Sequence, residues 1–133
     1  MRAGLVLAAW LGVGGACTAD SLPEGQWQVI ALGPSAIEVA DGVTVSLSDG
    51  QASGRSGCNR FTGSYSVDGP AFSFGPLAAT RIACRGRAAE VEALFNTVIG
   101  SVTGWERDGE TLVLMSDALP VLRAVPRLDP VER

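Results

Sequence analysis

The sequence predicts an α+β fold dominated by strands: an antiparallel sheet or barrel of about seven or eight strands packed against one α-helix. Short segments with alternating or β-branched residues recur along the chain, and Asp-Gly pairs separate several of them. One later segment instead repeats its apolar residues at three- and four-residue spacing, which is typical of one face of a helix. The 133 residues fit a single domain.

The strands are predicted from alternation and from turns. Val43–Ser48 alternates apolar and hydroxyl side chains, the pattern of a half-buried strand. The same pattern predicts strands at Gly25–Leu32, 52–57, 63–67, 71–74, 102–107, 111–115 and 121–125. Candidate turns between strands are Asp41-Gly42, Asp49-Gly50, Asp68-Gly69 and Asp108-Gly109, because Asp-Gly tolerates positive φ angles. Such short connections favour antiparallel pairing.

The helix is predicted over residues 88–99. Glu90 and Glu92 stand near its start, where acidic side chains interact favourably with the helix dipole. Gly100 follows its last apolar residue and suits a left-handed stop. We expect this helix to lie across the sheet and to close the core.

The N-terminus has the pattern of an export signal. Arg2 is followed by an apolar stretch that ends in small residues at positions 14–16, and this stretch is too short to span a bilayer. Cys17 comes next and resembles the acylated cysteine of bacterial lipoproteins. The pattern predicts a protein attached to a membrane through lipid on Cys17. Cleavage of the signal without lipid attachment, followed by secretion, is the alternative, because Gly14 stands where the lipoprotein pattern usually has Leu.

The domain organisation that we predict has four parts. These are a signal peptide at 1–16, a tether at 17–24, the folded domain at 25–125 and a disordered tail at 126–133. The predicted location is the cell envelope, as a periplasmic lipoprotein, or outside the cell.

Composition excludes several classes of function. The chain has no histidine, which removes the commonest general base and the usual zinc ligand. We predict no catalytic residue, no metal and no cofactor. Loss of Arg2 with the signal changes the formal charge from −4 to −5, which disfavours nucleic acid as a partner. We expect a monomer whose partner is an envelope protein or a small anion.

The most distinctive stretch is residues 54–65, G-R-S-G-C-N-R-F-T-G-S-Y. Gly25-Gln26-Trp27 precedes it, and Phe74-Gly75-Pro76-Leu77-Ala78 and Thr80-Arg81-Ile82-Ala83-Cys84 follow it. Together these pieces resemble the META domain, the family that includes the bacterial heat-shock protein HslJ. The residues that match its motifs are Trp27, Gly57, Cys58, Asn59, Gly63, Tyr65, Thr80, Arg81 and Cys84. The resemblance spans about residues 25–125 and departs at Ile82, where the family usually has Met.

The resemblance implies a compact β-rich domain with one helix, often secreted or anchored in the envelope. It implies a role in tolerance of stress or antibiotics rather than a defined reaction. Our first hypothesis is therefore a non-enzymatic envelope protein that acts as a binding or stability module. The alternatives are a secreted inhibitor that presents residues 57–63 to a protein target, and a thiol enzyme.

Three further hypotheses concern side chains. Export leads to an oxidising compartment, so Cys58 and Cys84 are expected to form a structural disulfide; two buried free thiols, or a redox role, remain as alternatives. If these cysteines meet, several arginines are drawn toward the start of the helix, where they form a candidate anion site. They are Arg55, Arg60, Arg81, Arg85 and Arg87. Pairing with carboxylates, or exposure to water, is the alternative. Asn59 is either a backbone turn residue or a recognition residue.

Overall fold

The computed structural model of the chain describes residues 22–127. The predicted signal at 1–16, Cys17 and residues 128–133 lie outside the described residues. Within the described range nine strands form one antiparallel sheet, and one α-helix packs against it. The predicted fold class is confirmed. A helix able to span a bilayer is not found among residues 22–127.

The chain order places the helix between the sixth and seventh strands. The strands are β1 (Gly25–Leu32), β2 (Ser35–Ala36), β3 (Val43–Ser48), β4 (Gln51–Ser56), β5 (Arg60–Asp68), β6 (Ala71–Ala79), β7 (Gly104–Asp108), β8 (Thr111–Ser116) and β9 (Leu119–Pro126). The helix α1 spans Gly86–Ile99, and a 3₁₀ turn at Val39–Asp41 precedes β3.

The sheet curls into a ring because β1 pairs with β3 on one side and with β9 on the other. The ring has the least strand pairing between β6 and β7, where Ala71 opposite Gly104 is the one register pair. Most of β6 therefore has no partner strand on that side within residues 22–127. The helix connects these two strands, and its C-terminal turn lies beside β6, near Leu77 and Gly75.

The core fills the inside of the ring. In β3 the alternation predicted from sequence is observed, with Val43, Val45 and Leu47 buried. The helix contributes an apolar face of Val91, Phe95, Val98 and Ile99. Phe61 of β5 packs on Phe95 with ring centroids 5.1 Å apart. Burial of aromatic rings of this size is the main stabilising term for a sheet and helix that must share one core.

Several predicted strand boundaries were wrong. Strand β6 runs to Ala79 rather than to residue 74 because Pro76 does not end it. The register of β5 and β6 shifts between Gly63 and Tyr65, opposite this proline, and Pro is tolerated where a strand edge is unpaired or bulged. Strand β5 begins earlier than predicted, at Arg60, and the two-residue strand β2 was not predicted.

The helix boundaries also differ from the prediction. The helix begins at Gly86, so its first turn contains no acidic residue and the predicted dipole interaction of Glu90 and Glu92 is wrong. Gly100 has φ −72°, a right-handed conformation, so the predicted left-handed stop is wrong as well. The last turn is instead closed by Ser101, whose backbone N–H and hydroxyl both donate to the Val98 carbonyl, at 2.9 and 2.8 Å. Bonds of this i→i+3 type satisfy the free carbonyls of a helix end.

The structured part of the chain reaches further at both ends than predicted. Pro23 lies in the predicted tether but is buried, and its carbonyl accepts a hydrogen bond from the Trp27 indole at 2.8 Å. Pro126 lies in the predicted tail but ends β9, and the Arg127 N–H donates to the Gln26 carbonyl at 2.9 Å. Asp41-Gly42 ends the 3₁₀ turn and does not join two paired strands.

Candidate functional site

The connection between β4 and β5 turns inward, against the helix. Cys58 and Asn59 are only 8% and 6% exposed. The Ser56 N–H donates to the Asn59 carbonyl at 2.9 Å and closes the turn. Residues 57–63 are thus a buried three-residue turn followed by the start of β5. This geometry does not favour the inhibitor hypothesis, because residues 57–59 form a turn that packs on the helix rather than a projecting loop.

Glu92 on α1 is the acceptor that holds this turn. Its Oε1 accepts hydrogen bonds from the Ser56 hydroxyl at 2.7 Å and from the Cys58 N–H at 3.1 Å. Asn59 donates twice, from its backbone N–H to Oε1 at 3.1 Å and from Nδ2 to Oε2 at 3.3 Å. Bonds to an ionised carboxylate are stronger than bonds between neutral groups, so Glu92 ties the helix to the β4–β5 turn.

The charge on Glu92 is favoured by these donors. Partial burial acts to raise the pKa of Glu92, but the hydrogen bonds from Ser56, Asn59 and Cys58 outweigh it and hold the pKa below its ordinary value. Glu92 is therefore ionised at neutral pH.

The carboxamide oxygen of Asn59 binds the segment between β6 and the helix. Asn59 Oδ1 accepts hydrogen bonds from the Thr80 hydroxyl at 2.8 Å and from the Ile82 N–H at 2.6 Å. Thr80 Oγ1 in turn accepts from the Arg60 N–H at 3.1 Å. Both ends of the Asn59 side chain are thus occupied inside the protein, which makes Asn59 a structural residue and not an exposed recognition residue.

The cysteines fasten the same two segments. A disulfide joins Cys58 and Cys84, whose Cα atoms are 6.3 Å apart, across a sequence separation of 26 residues. We call the hydrogen bonds of Asn59 to Glu92, Thr80 and Ile82 the Asn59 clamp. The disulfide lies directly beside this clamp, because Cys58 precedes Asn59 and Cys84 precedes the helix by two residues. Neither sulfur of this pair is a free thiol in the structure.

Two glycines of the motif are required by close packing. Gly57 has φ +113°, and a Cβ at this position would lie 2.8 Å from Val91 Cγ1. A Cβ on Gly63 would lie 2.5 Å from both Leu77 Cδ2 and the Pro76 carbonyl oxygen. Any side chain larger than hydrogen would push the turn off the helix or β5 off β6.

Two aromatic residues of the motif hold the N-terminal segment. The Trp27 indole binds the Pro23 carbonyl, and the Tyr65 hydroxyl donates to Glu24 Oε2 at 3.2 Å. Burial is the largest influence on the pKa of Tyr65, which lies above its ordinary value, and the nearby Glu24 charge raises it further. Arg81 is exposed and lies in a shallow depression with Asn59 and Glu92.

The candidate arginines are not one cluster around the helix start. Arg87 pairs with Asp41, Nη2 to Oδ2 at 2.8 Å, and also donates to the Ala36 carbonyl at 3.1 Å. This ion pair is the alternative that the sequence left open. Arg55 and Arg60 face each other across β4 and β5. Arg85 is the residue before the helix and makes no side-chain cap.

An open cleft of about 690 Å³ lies beside the N-terminal segment. We call it the aromatic cleft; its lining consists of Leu22, Pro23, Glu24, Gly50, Tyr65, Val67, Gly69, Pro70 and Trp105. The Trp105 indole N–H donates to the Gly69 carbonyl at 2.8 Å, which fixes the ring in the wall. Leu22 is 44% exposed. The sequence analysis missed this cleft because Leu22 and Glu24 were assigned to the tether.

The arrangement offers no metal site among residues 22–127, since no group of three His, Cys, Asp or Glu side chains converges there. Glu92 is predicted from the sequence only as a partner of the helix dipole, and its bonds to the β4–β5 turn are not predicted. A signal was present: Glu92 is four residues after Ala88 and three before Phe95, on the apolar stripe of the helix. A carboxylate in such a position requires donors from elsewhere in the fold.

Comparison with known proteins agrees with this architecture. The model of the META domain family matches residues 20–127. The fold is similar to the NMR structure of a protein from Burkholderia xenovorans, with a TM-score of 0.63 and 23% identity over 92% of this chain and 100% of that one. A second NMR structure of a protein has a TM-score of 0.62 and 16% identity over 83% of this chain and 96% of that one.

Likeness at this level of identity shows the fold alone. No curated protein matches the chain. The family match, in contrast, covers all of the described residues, and the matching motifs bond to one another: Asn59 to Thr80 and Cys58 to Cys84. The chain belongs to the META domain family.

Proposed function

We propose that this META-domain protein is a non-enzymatic component of the bacterial cell envelope, held to a membrane by lipid on Cys17. We further propose that it contributes to tolerance of stress or antibiotics by binding a small apolar molecule in the aromatic cleft. The observation that carries the proposal is the use of the motif residues: Cys58, Asn59 and Tyr65 are all engaged in internal bonds. Because these motif side chains bond to other parts of the same protein, they support the role of a rigid scaffold rather than that of a catalyst.

The aromatic cleft supports the choice of ligand. Its volume of about 690 Å³ falls in the range of small-molecule pockets. Tyr65, Val67 and Trp105 supply apolar walls, and the Tyr65 hydroxyl and Glu24 carboxylate supply polar groups at one side. Apolar walls with a few polar groups are the usual composition of such pockets.

The position of the cleft supports the anchor. Leu22 forms part of the lining and is five residues after Cys17. An extended chain of that length reaches about 18 Å, so a lipid on Cys17 would keep the cleft close to the membrane surface. Apolar molecules concentrate in and near the bilayer, where such a cleft would meet them.

The first experiment tests the anchor. We expect the mature protein purified from membranes to have the intact mass of a chain that begins at acylated Cys17. A Cys17→Ala variant is expected to lose the acyl mass and to leave the membrane fraction. Recovery of the wild-type protein without acyl mass, in the soluble fraction, would contradict the anchor.

The second experiment tests the ligand. We expect the apolar probe N-phenylnaphthylamine to bind with saturation and with enhanced fluorescence, and Leu22→Ala and Trp105→Ala to weaken that binding. Leu119→Ala is the matched control, because Leu119 is also an exposed apolar residue, at 69%, and does not line the cleft. Equal binding by the three variants would contradict the proposal.

The third experiment tests the physiological role. A deletion strain of the host bacterium is expected to be more sensitive to heat or to apolar antibiotics. The wild-type protein and the Leu119→Ala variant are expected to restore tolerance, whereas Trp105→Ala is expected to restore less. Equal tolerance of the deletion strain and the parent would contradict this role and leave the anchor standing.

A further inference from the structure

A recess of about 280 Å³ lies on the outer face of the sheet. We call it the arginine recess. Its lining comes from β1, β3, β4, β5 and the residue after β9, namely Gln26, Trp27, Thr44, Val45, Ser46, Ser53, Gly54, Arg55, Arg60 and Arg127. The sequence analysis assigned Arg127 to the tail and so did not group it with Arg55 and Arg60.

Three of the residues that line this recess are arginines. Arg55 and Arg60 are direct register partners, and like charges directly opposite each other destabilise a sheet. The Arg127 N–H pairs with the Gln26 carbonyl at 2.9 Å, which brings the third guanidinium to the same face. Among residues 22–127 the ion pair of Arg87 with Asp41 is the sole salt bridge. No acidic side chain among residues 22–127 lines the recess.

The floor between the arginines also consists of hydrogen-bond donors. Thr44, Ser46 and Ser53 present hydroxyl groups, and Gln26 presents an amide. The protein as a whole is acidic, with a formal charge of −4. The three arginines therefore make the charge of this recess opposite to the net charge of the chain. Guanidinium forks together with hydroxyl donors match the tetrahedral oxygens of a phosphate group.

We propose that the arginine recess binds a phosphate group. Binding would neutralise the repulsion between Arg55 and Arg60, neither of which forms a salt bridge among residues 22–127. The phosphate group can belong to a free phosphorylated molecule or to the headgroup of an anionic phospholipid. This site is separate from the aromatic cleft, with which it shares no lining residue, and it does not depend on the proposed function.

The test uses the full mature chain with Cys17→Ala, so that lipid on that residue does not contribute. Inorganic phosphate is titrated at constant ionic strength, since salt alone screens exposed arginines. We expect saturable shifts of the backbone amide signals of Thr44 and Ser53 and of the side-chain Nε–H signals of Arg55 and Arg60. We also expect phosphate to raise the melting temperature, because a ligand of the folded state stabilises it.

Two variants separate this site from general charge effects. Arg60→Gln is expected to weaken phosphate binding about tenfold or more, as loss of a charged hydrogen bond does. It should also raise the melting temperature in the absence of phosphate, because it removes a like-charge pair. Arg123→Gln is the matched control, because Arg123 is an exposed arginine of β9 that does not line the recess, and it should bind phosphate like the wild type.

Vesicles distinguish the source of the phosphate group. Sedimentation with phosphatidylglycerol vesicles, but not with phosphatidylcholine, that is lost in Arg60→Gln would assign a lipid headgroup. Saturable phosphate binding without vesicle binding would assign a free phosphorylated molecule. Linear shifts without saturation, or equal effects of Arg60→Gln and Arg123→Gln, would overturn the site.

Discussion

Glu92 on the helix accepts hydrogen bonds from both nitrogens of Asn59 in the β4–β5 turn, at 3.1 and 3.3 Å. The two residues are 33 positions apart in the sequence. The other end of the Asn59 carboxamide holds Thr80 and Ile82. One buried side chain therefore connects the sheet, the segment after β6 and the helix, and this explains why an asparagine stands in the motif. Several measurable consequences follow from this clamp and the disulfide beside it.

Glu92→Gln should destabilise the protein. Glutamine keeps the shape, but its single oxygen can replace only one of the two acceptors. With that oxygen at the Oε1 position its NH2 group would face the Asn59 Nδ2 donor, and the bonds from Ser56 and Cys58 would lose the strength that the charge gives them. We expect the free energy of unfolding to fall by about 1–3 kcal/mol in urea denaturation. Glu90→Gln, an exposed neighbour, should change it by no more than about 0.5 kcal/mol. Equal midpoints for the two variants would contradict the role of Glu92.

Asn59→Asp should reverse the pH dependence of stability. The new carboxylate would face Glu92 at the position of the Asn59 amide, so the pKa of one carboxyl group would rise above its unfolded value. A raised folded pKa gives stability that is present at low pH and lost as the pH rises through it. We expect a loss of about 3 kcal/mol at pH 7 and partial recovery near pH 4. A loss that is the same at both pH values would contradict the clamp.

The wild-type protein should lose stability in acid. The pKa of Asp41 is lowered to about 2, chiefly by its hydrogen bond from Arg87, and the pKa of Glu92 lies below its ordinary value. Groups with a lowered folded pKa give stability that is present above the unfolded pKa and lost as the pH falls through the folded one. The free energy of unfolding should therefore decline below about pH 4.5, and Glu92→Gln should decline less steeply. If the free energy of unfolding fell equally steeply with pH in the wild type and in Glu92→Gln, Glu92 would be excluded as a source of the acid sensitivity.

Loss of the disulfide should weaken the same junction. A bridge across 26 residues restricts the unfolded chain by about 3.5 kcal/mol in the loop-entropy relation. We expect Cys58→Ser and Cys84→Ser, each and together, to lower the free energy of unfolding by a similar amount. The double variant should be no worse than either single one. A folded domain of unchanged stability in all three variants would contradict a structural bridge.

Gly57→Ala should be more harmful than an alanine in an open turn. At Gly57 a Cβ meets Val91 at 2.8 Å and the backbone has φ +113°. We expect a loss of about 2–3 kcal/mol in the free energy of unfolding. Gly109→Ala is the control: its φ is +63° but nothing lies within 4 Å, so the loss should be about 1 kcal/mol. Equal losses would mean that the turn does not press on the helix.

Much of the fold could be predicted because its signals are local. Alternation along Val43–Ser48 and the three- and four-residue spacing before Ile99 each depend on a few neighbouring residues. The strand β6 was cut short because Gly75-Pro76 has the local pattern of a break, whereas the ring leaves this strand with a free edge that tolerates proline. That edge exists only in the assembled sheet.

The candidate site was less predictable for the same reason. Cys58 and Asn59 were identified through the family motif, but their partner Glu92 is joined to them only by the tertiary fold. The candidate anion site included Arg87, whose carboxylate partner Asp41 is 46 residues away. It omitted Arg127, which reaches the sheet because β9 closes the ring on β1. In each case long-range pairing decides which charges meet.

A double-mutant cycle between Asn59→Ala and Glu92→Ala, with the disulfide intact in all four proteins, is the most direct measurement of the clamp. If the carboxylate and the amide fasten the helix to the sheet, the double variant will lose less free energy of unfolding than the sum of the two single losses. The difference, the coupling free energy, should be about 1–3 kcal/mol. Additive losses, with a coupling near zero, would show that these residues stabilise the protein separately and that the motif has some other purpose.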